Sequence, residues 1–132
     1  MNKYELQQQE IDTIKSKVYT IRNQKVMLDS DLAEIYGYEL KAMNQQVKRN
    51  IERFPEDFMF QLEAKEIPDS LKSQIATLNE SDNKRGVHIK KMTYVFTEQG
   101  IYMLATVLNG DLAIQQSIFI MWTFEDKELS NL

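Results

Sequence analysis

The stretch 29-DSDLAEIYGYELKAMNQQVKRNIER-53 decides the fold. Asp29, Ser30 and Asp31 are helix N-cap types, and Asp31 with Glu34 has the spacing of a capping box ahead of Leu32, Ala33 and Ile35. A short helix is therefore expected to begin here. Gly37, after Tyr36, suits the left-handed residue that closes a helix. After a brief turn Leu40, Met43, Val47, Ile51 and Phe54 recur at helical spacing, which predicts a longer second helix to about Arg53 with these residues facing inward. Short helix, turn, longer helix is the plan of a helix-turn-helix, whose second helix enters the DNA major groove.

Upstream, Val18 to Ile21 and Lys25 to Leu28 are rich in β-branched and apolar residues, and Asn23-Gln24 between them predicts a tight hairpin. The polar, Gln-rich segment from Tyr4 to Lys17 shows only Leu6, Ile11 and Ile14 as an apolar stripe, so it reads as a weakly amphipathic helix or an N-terminal arm. Downstream, Pro55 stops the second helix, and Phe58 to Leu62 reads as a strand with Phe58, Phe60 and Leu62 facing the core. Residues Glu63 to Thr77 are helical in character but interrupted by Pro68, which predicts two short pieces or a kink. Asn79 to Gly86 is loop-like, and Val87 to Phe96 forms the far strand of a long hairpin or wing. Thr97 caps a helix from Glu98 to about Leu108, and Asn109-Gly110 ends it. Asp111 caps a last helix whose run Ile118 to Trp122 is apolar nearly all round. The expected fold is α+β: a small helix-turn-helix-like core, short antiparallel strands and two C-terminal helices.

With 132 residues, 42% hydrophobic and 27% charged, the chain fits one domain spanning 1–132, with an arm at 1–17, a module at 18–124 and a tail at 125–132 truncated from a longer protein. It has no cysteine and a single histidine, His88. Thiol catalysis, disulfides and Cys-based zinc sites are excluded, in keeping with a reducing, cytoplasmic setting. No run reaches the ~18 apolar residues of a membrane span, and the polar start lacks a signal-peptide core. The net charge of −4 argues against indiscriminate polyanion binding, so the location of charge matters more than its sum.

On the predicted second helix the outward positions are Lys41, Asn44, Gln45, Lys48, Arg49, Glu52 and Arg53. Asn and Gln amides pair with adenine edges, Arg with guanine, and Lys or Arg with phosphates, although an ordinary solvated helix face has the same composition. The strongest basic stretch comprises Lys84, Arg85, Lys90 and Lys91. On a wing it would hold phosphates, and on an exposed strand edge the same lysines would block unwanted pairing. The two clusters together predict about 4 to 6 phosphate contacts and a log–log salt slope of about −4 to −5. The carboxylate pairs Asp29/Asp31 and Glu56/Asp57 lack the accompanying Lys or His spacing of a Mg²⁺ nuclease, and Asp29 and Asp31 suit capping better. No phosphate-loop, nucleophile-elbow or zinc-protease motif occurs. The expectation is a non-enzymatic protein without metal or cofactor. Ile118, Phe119, Met121 and Trp122 on the last helix supply the competing expectation, a protein contact with a second copy or a repressor.

Three blocks, IRNQKVMLDSDLAEIYG (21–37), VKRNIERFPEDFMFQL (47–62) and VFTEQGIYMLATVLN (95–109), closely resemble the phage open-reading-frame-six N-terminal domain, a family grouped with the KilA-N and Bro-N domains. The resemblance runs from about Ile21 to Phe124. It implies a small α+β DNA-binding module of phage and prophage regulators or antirepressors, and the major-groove reading of the second helix makes double-stranded DNA the expected partner. By position, Asp29, Asp31, Leu32, Ala33 and Tyr36 match the first-helix motif, and Asn44, Val47, Lys48, Arg49, Asn50 and Arg53 the second. Arg53 to Phe58 matches a signature read as structural, with Arg53 placed to pair with Glu56 or Asp57. Thr97 to Gly100 matches the start of the penultimate helix. The sequence departs from the family at its end. Trp122 follows Met121 where a basic residue is common, and Glu125 to Glu128 is acidic, which favours protein over DNA as a partner of the last helix.

Overall fold

The computed structural model describes residues 3–69, 71–72 and 93–125. Five α-helices and a four-stranded antiparallel sheet make up this part of the chain: α1 (Lys3–Lys15), β1 (Val18–Ile21), β2 (Gln24–Leu28), α2 (Asp29–Tyr36), α3 (Leu40–Arg49), β3 (Met59–Gln61), β4 (Tyr94–Thr97), α4 (Glu98–Leu108) and α5 (Asp111–Glu125). The strand order is β1-β2-β4-β3. The fold is α+β with two C-terminal helices, as the sequence predicts.

The hairpin turn is one residue earlier than expected. Ile21 pairs with Gln24, and Arg22 and Asn23 both adopt positive φ (54° and 63°), the geometry of a type I′ turn. Arg22 tolerates this left-handed conformation because its side chain is held on both sides. The guanidinium sits 4.1 Å above the Phe60 ring and donates from Nε (2.6 Å) and a terminal nitrogen (3.0 Å) to the two Glu66 carboxylate oxygens.

Strand register explains why the sheet is buried on both faces. Met27, Phe96 and Met59 lie side by side across β2, β4 and β3, and so do Leu28, Val95 and Phe60. The first row joins Ile14, Leu32, Tyr36, Met43, Val47, Ile101, Leu104 and Ile120 beneath the helices. The second meets Ile21, Val26, Leu62 and Leu71 on the opposite side. Burying each such side chain contributes about 1.5–3 kcal/mol. The expected alternation at Phe58, Phe60 and Leu62 thus resolves differently. Met59 faces the helices, Phe60 and Leu62 face the second cluster, and Phe58 lies in the preceding turn, half-buried.

Three further expectations are corrected. Leu28 occupies the N-cap position of α2 without a side-chain cap, so Asp29 and Asp31 lie inside the first turn and no Asp31/Glu34 capping box forms. α3 ends at Arg49 because Asn50 turns its backbone N–H to the Val47 carbonyl (3.0 Å) and its side-chain amide to the Gln46 carbonyl (2.8 Å). A 3-10 turn, Ile51–Arg53, follows and leaves Ile51 52% exposed rather than inward. α5 buries Ala113, Ile120 and Thr123, and its other side faces water.

After β3, a 3-10 turn at Ala64–Glu66 is closed by a reciprocal Glu63/Glu66 capping box. Helical geometry recurs at Asp69, Leu71 and Lys72, just past Pro68. The loop from Asn79 and the expected wing strand up to residue 92 lie outside the described residues, and the strand is seen from Tyr94 onward. Thr97 does cap α4, its hydroxyl accepting from the Gly100 N–H at 3.3 Å. Asn109 and Gly110, both at positive φ (56° and 95°), end α4 as expected.

Candidate nucleic-acid interface

α2 and α3 are joined by a three-residue turn whose geometry fixes α3. Gly37 is left-handed (φ 72°), its N–H reaches the Glu34 carbonyl (3.2 Å), and the Tyr38 N–H reaches the Ala33 carbonyl (2.8 Å), the paired closure of a Schellman motif. The Tyr38 hydroxyl then donates to the Leu108 carbonyl (3.0 Å) at the end of α4, and the Tyr36 hydroxyl lies 2.9 Å from Ser117 Oγ on α5. Met43 and Val47 bury one side of α3 against α2 and α4, with Leu40 packed at its start.

The opposite side of α3 carries Lys41, Gln45, Lys48 and Arg49, all exposed. Their spacing, i, i+4, i+7 and i+8, places them on one stripe. Arg53 is exposed just beyond, in the 3-10 turn. Of the acids expected to hold Arg53, Glu56 instead approaches Arg22, at 4.0 Å. Ala42 is exposed beside this stripe. Sequence reading passed over it because an alanine carries no chemical signal, although its methyl suits contact with a thymine methyl.

Asn44 does not belong to the outward stripe. It is half-buried, and its amide nitrogen donates to Asp29 Oδ2 at 3.2 Å, tying α3 to the first turn of α2. Asp29 Oδ1 also accepts the Ser30 N–H (2.7 Å), and the carboxylate receives the Tyr94 backbone N–H. Burial outweighs these hydrogen bonds and pushes the Asp29 carboxyl up to about 6. Nothing in the sequence signals this contact, which spans fifteen positions and depends on the helix-to-helix angle.

The basic residues Lys84, Arg85, Lys90 and Lys91 lie outside the described residues. On α5, Ile118, Met121 and Trp122 are exposed as expected. Phe119 is a correction: it is half-buried, packs on the main core and meets Trp122 edge-on. Ile114, which sequence reading missed, is the most exposed large apolar residue of the helix. Elsewhere, an open hollow of about 330 Å³ between β2 and the start of α4 is lined by Gln24, Lys25, Thr97, Glu98, Gln99 and Phe124. Lys25 and Glu98 offset each other there, so the hollow has no net charge to select an ion.

The blocks of sequence that carry the resemblance meet in space. Phe54 packs edge-on against Phe96, ring centroids 5.8 Å apart. The Thr97 N–H donates to the Phe58 carbonyl (3.0 Å), and the Thr97 hydroxyl donates to the Asp57 carbonyl (2.8 Å). A Cβ at Gly100 would stand 1.9 Å from the Phe58 carbonyl oxygen, so only glycine lets α4 pass there. RFPEDF and FTEQG are therefore two halves of one packing joint, which fixes the chain leaving α3 against the start of α4.

No helix among the described residues is long and apolar enough to cross a membrane. No curated protein and no solved structure matches the chain. The sequence pattern of the ORF6N domain matches residues 16–107, from the hairpin to the end of α4 and short of α5. With the match covering most of its length and both halves of the joint, the chain belongs to the ORF6N domain family.

Proposed function

We propose that this chain is the DNA-binding module of a phage- or prophage-type regulator, non-enzymatic, acting on double-stranded DNA in the cytoplasm, with α3 as the helix that enters the major groove. The observation that carries this reading is the exposed stripe Lys41, Gln45, Lys48 and Arg49 on α3, the longer helix after the turn at Gly37, whose other side is locked in the core. Gln45 and Arg49 have the donor geometry for base edges, and Lys41, Lys48 and Arg53 that for phosphates. A net charge of −4 makes this local face, and not the whole molecule, the source of attraction. A role as antirepressor, acting on a repressor protein, is the second reading, supported by the exposed apolar side of α5.

Fluorescence anisotropy of labelled duplexes across a salt series tests the DNA reading. The three phosphate-facing cations Lys41, Lys48 and Arg53 predict a log–log slope of about −3, steeper if the basic segment from Lys84 to Lys91 also engages. Replacing Lys48 and Arg49 together by Ala is expected to flatten the slope by about 1, through Lys48, and to weaken binding further through the lost base contact of Arg49. Salt-independent binding, or binding undiminished in the double variant, removes α3 as the reader.

A further inference from the structure

The exposed side of α3 is not uniform. At about 100° per residue, Gln45 stands opposite the midpoint of the buried Met43 and Val47, at the crest of the helix. Lys41 and Lys48 lie about 40° and 60° to one side of it, and Ala42 and Arg49 about 60° and 40° to the other. All five are exposed. Among the described residues, none of their side chains has a hydrogen-bond or ion-pair partner, so the chemistry of this face is unspent on the fold.

A neighbouring contact tells the two flanks apart. Asn44, one step further round on the lysine side, donates to Asp29 Oδ2 (3.2 Å) in the first turn of α2. The lysine flank therefore borders the start of α2, and the flank of Ala42 and Arg49 is turned away from it. Where a second helix lies in the major groove, the first crosses the sugar-phosphate backbone. With α3 in the groove, the flank beside α2 then meets phosphates and the far flank meets base edges. Residue chemistry divides in the same way. Lysine is a point charge that suits phosphate, whereas the planar fork of Arg49 matches O6 and N7 of guanine.

We propose that the crest and far flank of α3 determine sequence specificity, with Ala42 against a thymine methyl, Gln45 on an adenine and Arg49 on a guanine, while Lys41 and Lys48 hold phosphates whatever the sequence. This rests on the reading of α3 as the major-groove helix. Along the helix axis Ala42 and Gln45 are about 4.5 Å apart and Gln45 and Arg49 about 6 Å. Base pairs rise about 3.4 Å each, so a helix lying along the groove spans about four of them from Ala42 to Arg49, with the adenine between the thymine and the guanine. Ala42 contributes by its size as well, since a longer side chain there would stand between the helix and the base edges.

Selection of bound duplexes from a random pool, repeated with Gln45→Ala, Arg49→Ala and Lys48→Ala, tests the proposal. All three positions are exposed, so circular dichroism is expected to be unchanged. Gln45→Ala is expected to erase the preference for one adenine, and Arg49→Ala that for a guanine about two base pairs away. On the selected duplex each preference is worth about 5- to 150-fold in affinity. Uracil in place of the thymine removes only the methyl and is expected to weaken wild-type binding about 4-fold. Lys48→Ala is expected to lower affinity for all sequences alike and to flatten the salt slope by about 1. If Lys48→Ala weakens binding while Gln45→Ala and Arg49→Ala keep every preference, α3 holds DNA without reading it, and this proposal falls while the DNA reading stands. A base preference lost with Lys48 but kept without Arg49 would reverse the flanks and overturn it, and undiminished binding to the uracil duplex would remove Ala42 from it. A chain that binds no duplex removes both readings.

Discussion

Asp29 shows how one buried group is set by several local terms acting against each other. Hydrogen bonds from Asn44, Ser30 and Tyr94 favour its ionised form, yet desolvation prevails and lifts the carboxyl from 3.8 to about 6. A carboxyl with a raised folded pKa stabilises the fold most below about pH 4, and that contribution is lost as the pH rises through 6. Its full size is about 3 kcal/mol. Asp29→Asn removes it, provided the Asn44 amide flips to present its oxygen. Glu66 and Asp69, lowered by their bonds to Arg22 and Lys72, act in the opposite sense as the pH falls. The informative quantity is therefore the difference between wild type and variant in urea unfolding. The variant is expected to gain on the wild type steadily between pH 4 and 6, and a constant difference would show that Asp29 ionises normally. Sequence reading identified Asp29 as a helix-start residue, and it is one; its link to Asn44 was not legible, because it depends on where α3 lies against α2.

At the scale of elements, α4 and the turn before β3 are joined by backbone, with side chains in a supporting role. The Thr97 hydroxyl receives one helix N–H and gives its proton to a carbonyl of the facing turn, so one side chain caps a helix and fastens it. Gly100 allows the approach, since a Cβ would lie 1.9 Å from the Phe58 carbonyl oxygen. Gly100→Ala must displace backbone and is expected to cost about 3 kcal/mol or more, read as a lower urea midpoint at an unchanged slope. A variant as stable as the wild type would mean that α4 can move away freely. The start of α4, its end at Asn109-Gly110 and the turn at Gly37 were all legible, because capping hydroxyls and left-handed residues announce themselves locally. The hairpin turn was misplaced by a residue because Arg22 is a poor left-handed residue by type. Only the Phe60 ring and Glu66, distant in sequence, make it acceptable.

For the whole molecule, the two proposed surfaces differ in electrostatics, and salt separates them. Attraction of α3 to DNA is expected to fall with added salt, by counterion release. A protein contact through the uncharged side of α5, the second reading, is expected to hold as salt rises, because no charged side chain between Asp111 and Glu125 takes part in it. Anisotropy and sedimentation measured over the same salt series give both trends. Parallel loss of the two would show that the contact made by α5 is driven by charge and not by its apolar side. Lys48→Ala/Arg49→Ala is expected to weaken DNA binding while leaving the sedimentation profile as it was, since α3 and α5 occupy different parts of the helical layer.

The sequence by itself determined the α+β class, the short helix, turn and longer helix from Asp29, the closure at Gly37, the cap at Thr97 and the basic composition of α3. These follow from periodicity and from residues with strong local preferences, which act over a few positions. The tertiary structure alone decided which side chains are available. It drew Asn44 inward to Asp29, ended α3 four residues early through Asn50, left Ile51 in water and buried the sheet on both faces. It also divided α5 between core and solvent, withdrawing Phe119 and presenting Ile114. The reason is the same in each case. Exposure depends on which distant element covers a residue, and a helix as apolar as α5 has no periodicity to say which side that will be.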